Sequence, residues 1–383
     1  MFLSVSADAI RRLAARHGFD ACGISRVVLR PTFLARYAAW VSKSYFGTMG
    51  WMAEPSRLAR RCRPESMLEG AQSVISVAMR HSPPVYGLQE ALRAQGRGII
   101  AAYAQGMDYH EIMKKRLKAF AASLDGLLGR HDQRVYVDTA PVLEHAFAEQ
   151  SGLAWQGKHS LNLSRSFGSW FLLGEIFTTA KLPADEPARA HCGSCTACMD
   201  ICPTGAIIHP FVVDARRCIA YLTIEYKGMI AHELRPRFGN RIYGCDDCQM
   251  VCPWNGKLPA LKGEDPLQPQ GENCLPDLAS LLRLNEAGFR ARFRKSPIRR
   301  TGRAAFLRNV CIALGNQRQA QALDALLGAL ADSEPLVRAH AAWAIGRLHV
   351  PAGTRSRLLG RALRREQNDD VRREIQHALE HLD

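Results

Sequence analysis

An α/β (α+β) domain, a cysteine-rich segment and an α-helical tail are what this sequence predicts, on three observations. Residues 1–180 alternate helical and strand patterns; eight of the 12 cysteines crowd between Cys192 and Cys252; and from about residue 288 the pattern is helical throughout. With 383 residues, 47% hydrophobic and 23% charged, the chain is globular and long enough for roughly two to three domains. No apolar run approaches the roughly 20 residues that span a bilayer. Met1-Phe2-Leu3-Ser4 is no positive n-region, and Arg11-Arg12 lead into an amphipathic stretch. A cytoplasmic protein without membrane contact is expected.

The elements follow in order. Ala7–His17 is helical, with Ser6 placed to cap it. Phe19–Ile24 is a short strand or turn, and Ser73–Met79, β-branched after the turn signal Glu69-Gly70, is a buried strand. Tyr109–Leu128 is a helix with apolar residues at Ile112, Leu117, Phe120 and Leu124. Arg134–Val137 is a strand ending at Asp138, and Pro141 fits the first turn of a helix running through Leu143–Phe147. The domain reading is therefore 1–180 for the α/β part, 181–262 for the cysteine segment, 263–287 for a polar, Pro-rich connector and 288–383 for the helical tail.

The cysteines carry the sharpest signal. Cys192-x2-Cys195-x2-Cys198-x3-Cys202-Pro203 has the spacing of a bacterial ferredoxin run, in which three close cysteines hold one 4Fe–4S cube and the fourth serves the other cluster. Cys245-x2-Cys248-x3-Cys252-Pro253 lacks one close cysteine, and Cys218 can supply it. The count closes as Cys192, Cys195, Cys198 and Cys252 for one cluster, with Cys202, Cys218, Cys245 and Cys248 for the other. Zinc is the competing reading, but zinc sites commonly draw on two separated Cys-x-x-Cys pairs; a tight run plus a Cys-Pro suits a cube better. Disulfides do not fit a reducing compartment. A ferredoxin needs only about sixty residues for two such clusters, so these clusters feed something else, and the α/β domain is where an active site is expected.

In the tail, Leu307-Arg308-Asn309-Val310, Val337-Arg338-Ala339-His340 and Val371-Arg372-Arg373-Glu374 recur at spacings of 30 and 34 residues. A helix-pair period of this kind resembles HEAT-type repeats, the plainer reading being an ordinary helical bundle. Residues 290–383 hold 18 Lys+Arg against 9 Asp+Glu, so they carry +9 of the formal +15. Arg290, Arg292, Arg294, Lys295, Arg299, Arg300 and Arg303 precede any acid in that stretch. Such a run is often a solvated face, yet Arg over Lys suits phosphate, because the guanidinium fork binds its oxygens in pairs.

Within the first domain, Asp138-Thr139-Ala140-Pro141-Val142-Leu143-Glu144 sets a carboxylate at a strand end before a helix. Spacing alone favours a helix cap there; a general acid is the alternative. Trp155-Gln156-Gly157-Lys158-His159-Ser160-Leu161-Asn162 groups hydrogen-bonding side chains before the apolar Gly168–Gly174, which suits either a cofactor loop or a plain surface loop. Asp108-Tyr109-His110 begins like the Asp-x-His-x-x-Gly motif that places a His on cobalt, but Met113 stands where Gly is required, so that motif is absent. No Gly-rich dinucleotide or ATP loop is present.

Taken together, these stretches resemble the epoxyqueuosine reductase family. The resemblance spans nearly the whole chain. It rests on Tyr103 to His110, Asp138 to Glu144, Gly157-Lys158-His159-Ser160, Gly168-Ser169-Trp170-Phe171, both cysteine motifs, Cys218 to Glu225, Gly244-Cys245-Asp246-Asp247-Cys248 and Pro253-Trp254-Asn255. Arg61-Cys62-Arg63-Pro64 departs from it, standing where many relatives have Arg-x-Asp-Pro. The resemblance implies a fold akin to reductive dehalogenases, with an inserted ferredoxin-like segment and a HEAT-like tRNA-binding tail. It implies reduction of epoxyqueuosine to queuosine at the wobble position of tRNA, the last step of queuosine biosynthesis, by cob(I)alamin fed by two 4Fe–4S clusters. It also makes Asp138 the proton donor, overriding the cap reading, and places Arg61, Asp138, Lys158, Ser160, Asn162 and Asp246 in cobalamin-contacting stretches. The implied partners are a tRNA carrying epoxyqueuosine and an electron donor that the sequence does not identify; the implied state is a monomer. A basic tail suits tRNA, whose anticodon bases are single-stranded and can be splayed into a pocket. Two other classes are weighed against this: a reductive dehalogenase, which usually carries a twin-Arg export signal and no basic tail, and a plain electron carrier, which needs neither the Asp138 motif nor the tail.

Overall fold

The computed structural model describes residues 6–256, 258, 261, 267–269 and 271–382. The chain forms two compact units that interleave along the sequence. Met1–Pro83, Asp108–Arg216 and Asp247–Pro266 make the first; Pro84–Met107, Arg217–Asp246 and Leu267–Asp383 make the second. These units cut across the linear blocks read from the sequence. For example, Ile99–Ile100 pairs in parallel with Arg241–Tyr243, both within the second unit, and parallel pairing joins strands far apart in the chain.

A four-stranded sheet organises the first unit. Its strands are β1 (Ala21–Arg26), β2 (Ser73–Arg80), β3 (Gln133–Tyr136) and β4 (Phe171–Thr178), in the order β1-β2-β4-β3. Every neighbouring pair is antiparallel, so the mixed reading resolves as α+β. Side chains alternate across a strand, and this sets which residues meet which helix. Phe177 of β4 and its partner Val74 of β2 pack with Ala146 and Phe147 of helix Glu144–Gln150. Glu175 shares that face, two residues from Phe177. Gly174 points the opposite way, where a Cβ would overlap Leu117 of helix Tyr109–Leu128, which lies close over the sheet.

Helix Tyr109–Leu128 occupies the expected span, and helix Ala7–Arg16 begins as expected, with Ser6 Oγ accepting the Ala9 N–H at 3.2 Å. The helix expected from Pro141 instead starts at Glu144, with Leu143 in the N-cap position and no side-chain cap. Residues 138–143 form a separate turn because Asp138 takes φ +48° and Val142 N–H closes on Ala140 O at 2.8 Å. Asp138 is therefore not a helix cap.

The second unit is mainly helical. Arg303–Gln317 packs on Pro335–Arg347, which packs on Asp369–Glu380, with Leu323–Leu330 and Ala352–Arg365 between them in sequence. The recurring Leu307, Val337 and Val371 occupy these three stacked helices and are fully buried, as a stacked repeat requires. Gly315 permits the close crossing, since a Cβ there would press on Trp343 and Ala344. The expected connector 263–287 lies partly outside the described residues; within it, Leu278–Leu282 is a short helix capped by Asp277, whose Oδ1 accepts the Ser280 N–H at 2.7 Å. Among the described residues no helix is long and apolar enough to cross a membrane.

Candidate active site

Asp138 stands on the turn after β3 with its side chain 54% exposed. Its Oδ2 lies 2.8 Å from His110 Nε2, and His110 Nδ1 lies 2.7 Å from Asp108 Oδ1. Tyr109 stacks on the same imidazole at 3.9 Å between centroids. A neutral imidazole carries one N–H. If that N–H donates to Asp108, Nε2 must accept, and the Asp138 carboxyl must then supply the O–H. If the ring is doubly protonated, Nε2 donates instead. Either way one proton lies between Asp138 and His110, at an accessible carboxyl.

Behind this loop sit two further carboxyls. The Asp138 N–H donates to Glu144 Oε1 at 2.6 Å. Glu144 in turn comes near Glu175, in the middle of β4 and 0% exposed, close enough for the two carboxyls to influence each other. Neither Glu175 oxygen has a hydrogen-bond partner, so an ionised Glu175 would be buried unmatched, and a proton on one of the two carboxyls would relieve it. Burial, then the Asp138 charge, push Glu144 up to about 7; burial and Glu144 hold Glu175 well above the usual carboxylate range.

The other residues marked by the sequence are placed as follows. Arg61 ends helix Pro55–Cys62 at 3% exposure, between the Tyr37 and Trp51 rings at 5.8 and 5.4 Å. Its Nη1 has no partner, and burial lowers its pKa. Asn162 pairs with Gln156 in a short hairpin; its Nδ2 donates to His145 O at 3.2 Å while the buried Oδ1 accepts nothing. Ser160, at φ +70°, turns that hairpin loop. Lys158 Nζ donates to Gly193 O and Cys195 O at 2.7 and 2.9 Å, clamping the first cysteine loop. Asp246 belongs to the second unit, where Oδ2 accepts the Ala102 N–H at 2.7 Å. The unsatisfied Nη1 of Arg61 and Oδ1 of Asn162 fit a bound group rich in amides and phosphate, since buried polar atoms in a finished site are rarely left unmatched.

Cys192, Cys195, Cys198 and Cys252 lie within electrostatic reach of one another. Burial and the surrounding Cys192, Cys252 and Cys195 thiols push Cys198 up to about 11, and Cys252 is raised by burial and by Cys192 and Cys195. Thiols raised by burial and by one another are what a bound iron would relieve. Main-chain N–H groups of Trp254 and Asn255 point at Cys252. The Cys252 turn is pinned by Asn255, which takes the Ser169 N–H at 2.8 Å and donates to Gln249 O at 2.8 Å. Gly168 is required there, since a Cβ would collide with Asn255. Cys202 Sγ accepts the Ala206 N–H at 3.2 Å; Cys218 precedes helix Ile219–Ile224, and Cys245 and Cys248 flank the start of helix Asp247–Met250.

The basic tail divides into two kinds of arginine. Arg290, Arg294, Lys295, Arg299 and Arg300 are exposed. The repeated arginines are not: Arg308 is fully buried, donating to the carbonyls of Leu222, Tyr226 and Gly228. Arg338 grips Glu366 at 2.7 and 2.9 Å, and Arg303 pairs with Asp332.

His110, Glu144 and Glu175 were not singled out by sequence reasoning. His110 and Glu144 lay inside noted motifs, and the missed signal for Glu175 was a lone carboxylate in the apolar run Phe171–Thr178.

Comparison with known proteins converges on one family. A family model described as "Epoxyqueuosine reductase QueG, DUF1730" matches residues 61–139. A "4Fe-4S double cluster binding domain" matches 191–255, and "HEAT repeats" match 298–380. An epoxyqueuosine reductase of Salmonella typhimurium is 43% identical over 343 residues, covering 90% of this chain and 88% of its own. That of Xanthomonas campestris is 43% identical over 347 residues, covering 89% and 95%. Among solved structures, an epoxyqueuosine reductase with an epoxyqueuosine-modified tRNA-Tyr stem loop superimposes with a TM-score of 0.89 at 31% identity, covering 98% of both chains. A Bacillus subtilis epoxyqueuosine reductase whose catalytic aspartate loop is swung out of the active site gives 0.88 at 30%, with the same coverage.

Proposed function

This chain belongs to the epoxyqueuosine reductase family, oxidoreductases carrying a double 4Fe–4S segment and HEAT repeats, and on that premise we propose that it reduces epoxyqueuosine to queuosine at the wobble position of tRNA. The reaction takes two electrons and two protons and releases the epoxide oxygen as water. The observation that carries the reading is the accessible Asp138 carboxyl 2.8 Å from His110 Nε2, a placement that suits protonation of the oxygen leaving carbon. Such a positioned acid contributes about a hundred- to ten-thousand-fold.

The chain's residues divide the work. Asp138 gives the proton, His110 passes one to it, and Asp108 fixes the imidazole. Cys192, Cys195, Cys198 and Cys252 would hold one cluster, and Cys202, Cys218, Cys245 and Cys248 the other. Arg61 and Asn162 would meet cobalamin with their free Nη1 and Oδ1; Ser160, Lys158 and Asp246 complete the proposed set, with Lys158 also bracing the first cysteine loop. Cobalamin, when bound, supplies the reduced cobalt centre, and the clusters supply single electrons from a donor yet to be identified. Exposed Arg290, Arg294, Lys295, Arg299 and Arg300 would face tRNA phosphates. A cytoplasmic monomer completes the reading.

Purified anaerobically, the protein should carry about eight irons, four for each cube, and bind cobalamin. Incubating it, reduced, with epoxyqueuosine-containing tRNA and digesting to nucleosides should yield queuosine; intact epoxyqueuosine with both cofactors loaded sinks the proposal.

A further inference from the structure

Resting on that reading, we propose that Glu144 and Glu175 hold one proton between their carboxyls, and that Glu144 is the positioning residue keeping the Asp138 turn in place through the Asp138 N–H. Three features carry this. Asp138 is a non-glycine residue at φ +48°, a conformation that L-residues avoid, so the turn needs an external hold. The 2.6 Å hydrogen bond from its own N–H to Glu144 Oε1 supplies one. Glu144 needs an anchor in turn, and Glu175 is the group it meets, fixed on β4 between Ser76 and Tyr136 and fully buried.

Two ionised carboxylates at this spot would repel each other without solvent to screen them. A single proton removes the conflict: the O–H of Glu175 donates to Glu144, and the other lone pairs of Glu144 remain for the Asp138 N–H. Around the pair stand His110 from helix Tyr109–Leu128, Asp138 from the turn, His145 beside Glu144, and Arg57 from helix Pro55–Cys62, which donates to Thr139 O at 3.0 Å. Arg57 thus bonds a carbonyl of the turn, and no Lys or Arg figures among the influences on either carboxyl. Burial moves both carboxyls in the direction of keeping the proton.

The full chain, loaded with both cofactors, tests the positioning role by kinetics. Glu144→Ala should lower kcat about ten- to hundred-fold, the loss of a hydrogen bond to a charged group, with KM unchanged. Glu144→Gln, whose amide oxygen still accepts the Asp138 N–H, should restore kcat to within a few-fold. A Gln variant as poor as the Ala variant, or a loss falling on KM alone, overturns the positioning role. The shared proton is read separately by infrared spectroscopy, which needs neither tRNA nor turnover. The wild-type chain at pH 8 should show a protonated-carboxyl C=O band that Glu175→Gln removes. If the wild-type spectrum minus that of Glu175→Gln shows no such band, the shared proton is disproved. Absence of turnover in every protein, wild type included, would instead refute the functional reading and leave the infrared result to decide the proton.

Discussion

Two sets of buried polar groups, one in each unit, are met in different ways. In the helical unit, Arg308 is enclosed yet answered by three main-chain carbonyls and by Asn309 Oδ1, and Arg235 lies bidentate on Glu374 at 2.8 and 2.7 Å. In the sheet unit, Glu175, Arg61 Nη1 and Asn162 Oδ1 are buried with no protein donor or acceptor of ordinary kind. Fully matched polar groups stiffen a fold and specify its packing. Unmatched ones cost stability wherever they lie, and these three stand where a proton or a bound ligand would answer them.

The sharpest way to break this contrast is at Asp138. Asp138→Asn should cut single-turnover conversion by about a hundred- to ten-thousand-fold, with iron content and unfolding midpoint unchanged. Full turnover would mean that the proton comes from elsewhere.

The helical counterpart should fail in stability and not in chemistry. Arg308→Leu strands the carbonyls of Leu222, Tyr226 and Gly228 and should cost on the order of 3 kcal/mol in urea unfolding. Burial pulls Arg308 only down to about 9, so it remains charged at neutral pH and its removal is felt there.

Glu175→Gln sharpens the comparison by pH. Raised carboxyl pKa values mean that the native state binds protons more tightly than the unfolded chain. The stability this confers is complete below the ordinary 4.5 and is lost as pH rises through about 7 for Glu144, with Glu175 shifted in the same direction. The uncharged amide escapes that loss. Its thermal midpoint should therefore gain on wild type by about 2–4 °C more at pH 8 than at pH 5; an equal difference at both values refutes the raised pKa values.

The smallest effect separates the two kinds of tail arginine. Replacing exposed Arg299 and Arg300 by Ala should reduce the slope of log affinity against log salt for tRNA by about 0.7–0.9 per lost phosphate contact. Arg338→Ala, which breaks the grip on Glu366, should lower stability and leave that slope alone.

Much of the first unit was legible because its elements obey local rules. The helix Tyr109–Leu128 carries its apolar stripe and ends before Gly129, which takes φ +74°. The helix near Pro141 was misplaced because local preference could not see Glu144 reaching back to the Asp138 N–H. The tail's +9 was read as one surface, yet Arg303, Arg308 and Arg338 are absorbed within the fold. Composition counts charges, and packing decides which of them water sees.

By itself the sequence determined the three kinds of architecture, the eight-cysteine pattern and Asp138 as a candidate acid, because spacing and periodicity are local properties of a chain. Only the tertiary structure decided that Asp138 meets His110, 28 residues away, that Glu144 comes near Glu175 across helix and sheet, and that burial and neighbouring thiols raise Cys198 and Cys252. The physical reason is that carboxyl ionisation and thiol crowding depend on distance and burial, which arise when remote segments pack and expel water.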